Sequence, residues 1–404
     1  LFSDYTAKIT AERPVRVTTL ERYLLLANDL PGLSFSSRLT PSPTNPAAST
    51  LVVSLDEEKH FSASLGGDNR GTEGSGPYQA QVQTAISNAL GLHEELTLGY
   101  TIAGPQHDGN HPELHYLSFG YEQVLNSEGL RFDFTGNASW GDPGTPDLLL
   151  LEYETESLNL SALLSYPFIR TRNTNLTGSL AFDWKNSESW ILGIGETEDR
   201  LRIIRGELAF DHADTFDGVN QLIVSASQGI DGLGSTENGN PLASRANGKV
   251  DFFKATVQAS RLQDFDGPLS ALIMASAQVS ADPLLSSQEC GYGGGSIGRG
   301  YEPSIFSGDH CILALGELRY DVETQTLNLT KLQPYAFADY GSIWNIDVPA
   351  GTPKHDEAAS VGAGIRFGWK NFDADLQVTY QVDRPDSVTV DDRVGAFFDL
   401  TARF

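Results

Sequence analysis

The chain reads as an all-β protein: an antiparallel transmembrane β-barrel of about sixteen strands, preceded by a partial αβ module. Three observations predict it. Apolar and polar residues alternate over most of the length, connections between alternating segments are long and short by turns, and the chain ends on Phe404 at the tip of an apolar face.

The composition agrees. Among 404 residues there are 40 Gly, 14 Tyr, 20 Phe, a single Met and 20% charged residues, a profile of many short strands joined by polar loops. A formal net charge of −26 argues against a nucleic-acid partner, which needs a basic stripe, and none occurs. No run of about 20 apolar residues predicts a transmembrane helix. The opening "LFSDYTAKITAERP" is polar from the start and is not a signal peptide. Cys290 and Cys311 are the only cysteines; a sparse pair in a β-rich chain fits an oxidising compartment and one disulfide, with two free thiols as the alternative.

Residues 15–34 carry the clearest helical signal. Thr18 and Thr19 are candidate caps, Leu20, Tyr23, Leu24 and Leu26 recur at helical spacing, and Asp29-Leu30-Pro31-Gly32 stops the helix. Two short strands, 33–39 and 50–55, follow across a Pro-rich turn and complete an αβ piece over 1–56.

From 57 to 404 the period is two. In "GLRFDFTGNASWG", Leu130, Phe132, Phe134, Ala138 and Trp140 alternate with Arg131, Asp133, Thr135, Asn137 and Ser139. In "YQAQVQTAIS", Tyr78, Ala80, Val82 and Ile86 oppose Gln79, Gln81, Gln83 and Ser87. In "NFDADLQVTYQV", Ala374, Leu376, Val378 and Tyr380 oppose Asp373, Asp375, Gln377 and Thr379. Each segment approaches the roughly 10 residues a tilted strand needs to cross a bilayer. Long polar connections such as "GGDNRGTEGSGPY" and "AGPQHDGNHPEL" follow odd segments, and short ones such as "LNSEGL" and "DFDGP" follow even ones. A soluble sandwich or propeller also alternates, but explains neither this asymmetry nor the aromatics Trp140, Tyr166, Trp184, Tyr340 and Trp369 that end the apolar faces. In "GAFFDLTARF", Phe398, Leu400, Ala402 and Phe404 share one face.

The stretch "GYGGGSIGRGYEPSIFSGDH" contains a dinucleotide-like Gly293-x-Gly295-x-x-Gly298 and an elbow-like Gly294-x-Ser296-x-Gly298. Both patterns work only where a strand turns into a helix, and Arg299-Gly-Tyr-Glu-Pro303 starts none. Neither a phosphate cradle nor a nucleophile is expected, since both motifs lack their helix. His107, His111 and His115 stand at intervals of four, but Pro112 and the flanking strands make this a loop of surface histidines, not a metal site. No cofactor and no metal are expected, and no catalytic set stands out.

The order of several motifs resembles the outer-membrane transporters of two-partner secretion, the TpsB type that exports haemolysins and filamentous haemagglutinins, within the barrel-assembly superfamily. "LERYLLLANDLPG" is similar to the last periplasmic POTRA module before the barrel, and "YPFIRTRNTNL" to the fourth-hairpin neighbourhood. "GRGYEPSIFSGDHCILALGELRY" resembles the sixth-loop motif, with Arg299, Gly300 and Tyr301 at its centre, and "QPYAFADYG" the Phe-x-Asp-x-Gly partner motif with Phe337 and Asp339. The likeness runs from about residue 10 to 404. One departure is Gly298, where the family usually has Val or Ile.

The resemblance implies that a sixth loop (about 281–310) folds into the lumen with Arg299 pairing with Asp339. The alternation agrees on direction. It places Asp339 on the face of Gln333, Tyr335 and Phe337, and Glu317 with Arg319 on the inner face of the neighbouring strand. The implied function is export of a large β-helical exoprotein through a monomeric, ATP-independent pore in the bacterial outer membrane, in contact with lipid and lipopolysaccharide. A POTRA module in the periplasm, within Leu20–Leu55, takes the substrate as an added strand. A barrel-assembly insertase is the nearest rival. A porin or barrel enzyme lacks a visible constriction ring or catalytic set.

Overall fold

The computed structural model describes residues 1–44, 48–57, 59–72, 74–104, 112–324, 329–348, 353–385 and 393–404. The chain opens on helix α1 (Phe2–Ala11), which buries Tyr5 and Ile9. Its short apolar stripe lies within a polar sequence that does not announce a helix. Helix α2 (Val17–Asn28) starts after Arg16, so Thr18 and Thr19 sit within its first turn instead of capping it. The Glu12 carboxylate, carried past the end of α1, accepts the Arg16 backbone N–H at 3.2 Å. Strands β1 (Leu33–Pro41) and β2 (Ser49–Glu57) form an antiparallel hairpin. Tyr5, Leu26, Ala27, Leu30 and Phe35 make a small core that Val124 of the barrel completes.

The next strands are β3 (Phe61–Asp68), β4 (Gln79–Ser87), β5 (Glu94–Ala103), β6 (Leu114–Val124) and β7 (Arg131–Gly141). After helix α3 (Pro146–Leu150) come β8 (Glu154–Arg170), β9 (Thr174–Ile191), β10 (Ile194–Ala213), β11 (Gly218–Gly229), β12 (Phe253–Asp264) and β13 (Leu269–Ser280). Two three-residue strands, β14 (Cys290–Tyr292) and β15 (Phe306–Gly308), pair with each other inside the sixth outer loop. The chain then finishes with β16 (His310–Tyr320), β17 (Lys331–Trp344), β18 (His355–Trp369), β19 (Phe372–Asp383) and β20 (Val394–Arg403). All strands from β3 onward except β14 and β15 form one closed barrel of sixteen, each antiparallel to its chain neighbours, with β20 pairing back onto β3.

Closure satisfies the backbone polar groups that an open edge would leave bare in a bilayer. Side chains on the outer face are apolar and exposed, among them Val82, Leu98, Leu117, Phe119, Leu180, Leu208, Leu222, Ile273, Leu318, Leu376 and Val378. A water-soluble protein does not display so extensive an apolar surface; a lipid-facing one requires it. No described helix is long and apolar enough to cross a membrane, and the crossing is made by strands. The long-and-short rule has a clear exception among the described residues. Strands β9 and β10, 18 and 20 residues long, meet at a turn of Leu192 and Gly193, both at positive φ. That outer connection is a strand hairpin rather than a loop.

The αβ piece sits against the barrel end that carries the short turns. Arg170 Nη2 and Nε reach the two carboxylate oxygens of Asp29 at 2.6 and 2.9 Å. Lys8 meets Glu128, Tyr23 Oη donates to Glu128 at 3.2 Å, and Arg22 donates to the Pro167 carbonyl at 3.0 Å.

Candidate functional site

Sequence alternation aims Gln333, Tyr335, Phe337 and Asp339 of β17 to one side, and all four are buried on the inner wall. Room for the rings comes from β18. Tyr335 and Phe337 are register partners of Gly364 and Gly362, and a Cβ at either glycine would lie 2.5 or 2.6 Å from the ring opposite. The aromatics therefore lie flat over glycine backbone and form a floor for the sixth outer loop, residues 281–309.

Loop residues Tyr292, Ile297 and Tyr301 cluster with Phe306, Leu313, Leu315, Tyr335 and Phe337. Gly298 takes φ +86°, and a Cβ there would approach the Gly293 nitrogen to 2.5 Å. A β-branched residue with this backbone is strained, which accounts for glycine at the position before Arg299. No helix follows the glycine run, so neither nucleotide nor elbow geometry exists among these residues.

The loop tip departs from expectation in one respect: the Arg299 guanidinium does not pair with Asp339. It meets the Glu317 carboxylate and lies 4.8 Å from the centre of the Phe337 ring. Asp339 instead takes backbone and hydroxyl donors. The Arg299 N–H donates to it at 2.9 Å, Tyr292 Oη at 2.7 Å and Ser360 Oγ at 2.6 Å. The physical reason is reach. The turn at Gly298 presents the peptide of Arg299 to β17, which leaves its long side chain to extend one strand further, to β16.

Glu317 is wholly buried and is shared by three guanidiniums. Besides Arg299, Arg319 Nε lies at 2.6 Å and Arg366 at 2.9 Å. Arg366 continues to Asp375 at 2.9 Å, and Tyr335 Oη donates to the same carboxylate at 2.5 Å. Gly300 and Tyr301 are fixed too: Gly300 N–H donates to Ser360 Oγ at 3.1 Å, Gln381 Nε2 to the Gly300 carbonyl at 2.8 Å, and Tyr301 Oη to the Ala359 carbonyl at 3.1 Å. The structure thus brings together Arg299, Gly300, Tyr301, Asp339, Glu317, Arg319 and Phe337. Sequence reasoning missed Arg366, Asp375, Ser360, Tyr292 and Gln381. A signal existed for Arg366, the large inward residue that follows Gly362 and Gly364 in the period-two register of β18.

Higher up, Cys290 and Cys311 are joined as a disulfide that spans the loop. Asp309, fully buried, accepts from Arg245 Nη1, the Leu284 N–H and the Ile346 N–H, each at 2.7 Å. Arg245 also reaches Glu289 at 3.0 Å. Burial pushes the Glu289 carboxyl above its ordinary value, against the pull of Ser307 and Arg245. On the other side, a cleft of about 290 Å³ separates the loop from the wall of β11–β13, lined by Gln221, Gln258, Ser260, Met274 and Ser296. The loop leans on one half of the wall. His107 and His111 lie outside the described residues; His115 shares a 2.6 Å hydrogen bond with Tyr100 Oη.

Similarity to known proteins agrees with this architecture. CdiB from Escherichia coli superposes with a TM-score of 0.81 at 17% identity, covering 94% of this chain and 69% of that one. CdiB from Acinetobacter baumannii follows at 0.71 and 16%, covering 96% and 69%. BamA from Haemophilus ducreyi lacking POTRA domains 1-3 gives 0.62 at 11%, covering 100% and 82%. These share the fold. The heme/hemopexin transporter protein HuxB of Haemophilus influenzae is 28% identical over 167 residues, 41% of this chain. The matched stretch spans 28% of that relative's length. A closed sixteen-strand antiparallel barrel with an apolar outer face resides in the bacterial outer membrane. The haemolysin secretion/activation protein family ShlB/FhaC/HecB matches residues 47–367, most of the chain, and the chain belongs to that family.

Proposed function

We propose that this chain is the pore of a two-partner secretion system, passing a large β-helical exoprotein from the periplasm to the cell surface without ATP. The observation that carries this reading is the seat of the sixth loop. A loop tip held against the inner wall by side-chain and backbone contacts, with its base tied to β16 by the Cys290–Cys311 disulfide, occupies a conduit that it must leave for a chain to pass. In this reading 1–56 is the end of a periplasmic POTRA module, 57–404 is the pore, and the exoprotein docks as an added strand within Leu20–Leu55. Among the described residues the hairpin β1–β2 pairs with no third strand, the arrangement that such pairing uses. Folding of the exported chain outside biases its motion. The protein acts as a monomer, since the barrel closes on itself, with lipid and lipopolysaccharide around its outer face.

Co-expression with a candidate partner exoprotein tests this. Arg299→Ala is expected to insert normally, to lower secretion at matched expression and to change single-channel conductance. Secretion at the wild-type level would make the loop a passive plug and overturn the reading.

A further inference from the structure

We propose that Arg70 is a positioning residue that ties the tip of the sixth loop to the closing seam of the barrel, so that loop seating and seam closure form one coupled equilibrium. The seam between β20 and β3 is the shortest ladder in the barrel. It has five register pairs, Asp399↔Asp68 to Arg403↔Ser64, whereas the ladders flanking it, β3–β4 and β19–β20, have eight and nine. Its outer end is also opposed by charge, because Asp399 and Asp68 face each other directly.

Beyond that point the Asn69 N–H still reaches the Phe398 carbonyl at 3.4 Å, and two side chains continue the closure. Asn69 imitates a strand residue: its Oδ1 accepts the Phe398 N–H at 2.8 Å and its Nδ2 donates to the Ala396 carbonyl at 2.9 Å. Arg70 then crosses the seam. Its own N–H donates to Asp68 of β3 at 2.8 Å, and its guanidinium lies 4.1 Å from the centre of the Phe397 ring on β20. Its Nη1 donates to the Arg299 carbonyl at 3.2 Å. Gly295 of the same loop packs beside it, with room for a Cβ 3.6 Å from Arg70 Cδ. The loop tip is therefore held from two directions, by Glu317 and Asp339 on β16 and β17 and by Arg70 from across the seam. Freeing the tip removes an acceptor from Arg70; moving Arg70 removes a donor from the tip. Linkage requires the effects to be reciprocal.

Amide hydrogen exchange on the full chain in detergent micelles tests the coupling without reference to secretion, so its failure is distinct from failure of the transport reading. Arg70→Met keeps a stem over Phe397 but removes the donor. It is expected to speed exchange about tenfold at the amides of Arg299 and Tyr301, the loss of one hydrogen bond from a charged donor. Arg299→Ala is expected to speed exchange at Asn69 and Phe398, which Arg299 does not touch, and to leave the β11–β12 ladder unchanged. Faster exchange confined to the loop in Arg299→Ala would overturn the proposal. Should Arg70→Met fail to insert, Asn69→Ala decides: it loosens the seam alone, and unchanged exchange at the loop tip would again show two independent anchors.

Discussion

Glu317 is the carboxylate on which the loop seat depends, and its surroundings decide what each substitution costs. Truncating the Arg299 side chain leaves Glu317 with Arg319 and Arg366, and leaves Asp339 all three of its donors, because its contact with residue 299 is to the backbone N–H. No buried acid is stranded, so Arg299→Ala is expected to cost the seat about 1–2 kcal/mol. Glu317→Gln leaves three guanidiniums around a neutral amide and is expected to cost more, on the order of 3 kcal/mol. Loop protection by hydrogen exchange orders the two, and the reverse order would remove Glu317 from the centre of the network. Exchanging charges by Arg299→Asp with Asp339→Arg is not expected to restore the seat, because those side chains are not partners. The inward direction of Asp339, Glu317 and Arg319 was legible in period-two alternation. Which of two inward acids meets the guanidinium was not, since it depends on the turn at Gly298 and on the reach of one side chain. At the opposite rim, Arg261, Asn220 and the N–H groups of Phe216 and Gly218 hold the Asp214 carboxyl well below the usual carboxylate range. A depressed acid contributes stability above its unfolded value and loses it only as pH falls through the folded one. The Phe216 and Gly218 amides should therefore stay protected at about pH 4, where an unperturbed Asp is half protonated; loss of protection there would refute the contact.

Among the elements, the sixth loop and the αβ piece are each tied to the barrel at several points. The Cys290–Cys311 disulfide closes a loop with a sequence separation of 21, worth about 3 kcal/mol by chain entropy. Intact mass with and without reductant, after alkylation, should show no free thiol before reduction. Reduction should then raise exchange around β14 and β15 before any strand of the barrel. For the αβ piece, the two-pronged Arg170–Asp29 contact joins partly shielded side chains, whereas Lys8 and Glu128 are each more than a third exposed or close to it. The first should matter more, because a solvated pair contributes little. Asp29→Asn is thus expected to speed limited proteolysis between the αβ piece and the barrel more than Glu128→Gln does; equal effects would contradict this ranking. Element type was readable wherever the period was long and regular, as in the barrel strands and α2. Helix α1 escaped because its apolar residues are few and gain their burial from α2 and β1, and the β9–β10 hairpin escaped because its outer halves carry polar side chains on both faces.

The whole barrel is a ring of ladders, and a ring is as resistant as its weakest closure. Strand number and antiparallel order followed from alternation and loop rhythm, but the identity of the weak ladder did not: a short first strand and a positional accident of charge, Asp68 against Asp399, appear only when the two chain ends meet. If the β3–β20 seam is where heat first opens the barrel, a covalent staple there should help more than the same staple elsewhere. Leu65 and Ala402 are register partners at the seam, and Val224 and Val257 are register partners on the β11–β12 ladder. The pairs Leu65→Cys with Ala402→Cys, and Val224→Cys with Val257→Cys, each add one disulfide between neighbouring strands on the lipid-facing side. Both remove similar apolar bulk, so the comparison isolates position. After oxidation the seam staple is expected to raise the temperature at which the barrel loses its heat-modifiable mobility on a gel, while the β11–β12 staple leaves it nearly unchanged. The reasoning is kinetic: a constraint slows unfolding only where the contact it secures is broken before the transition state. Equal shifts from the two staples would mean that the barrel opens without regard to its shortest ladder.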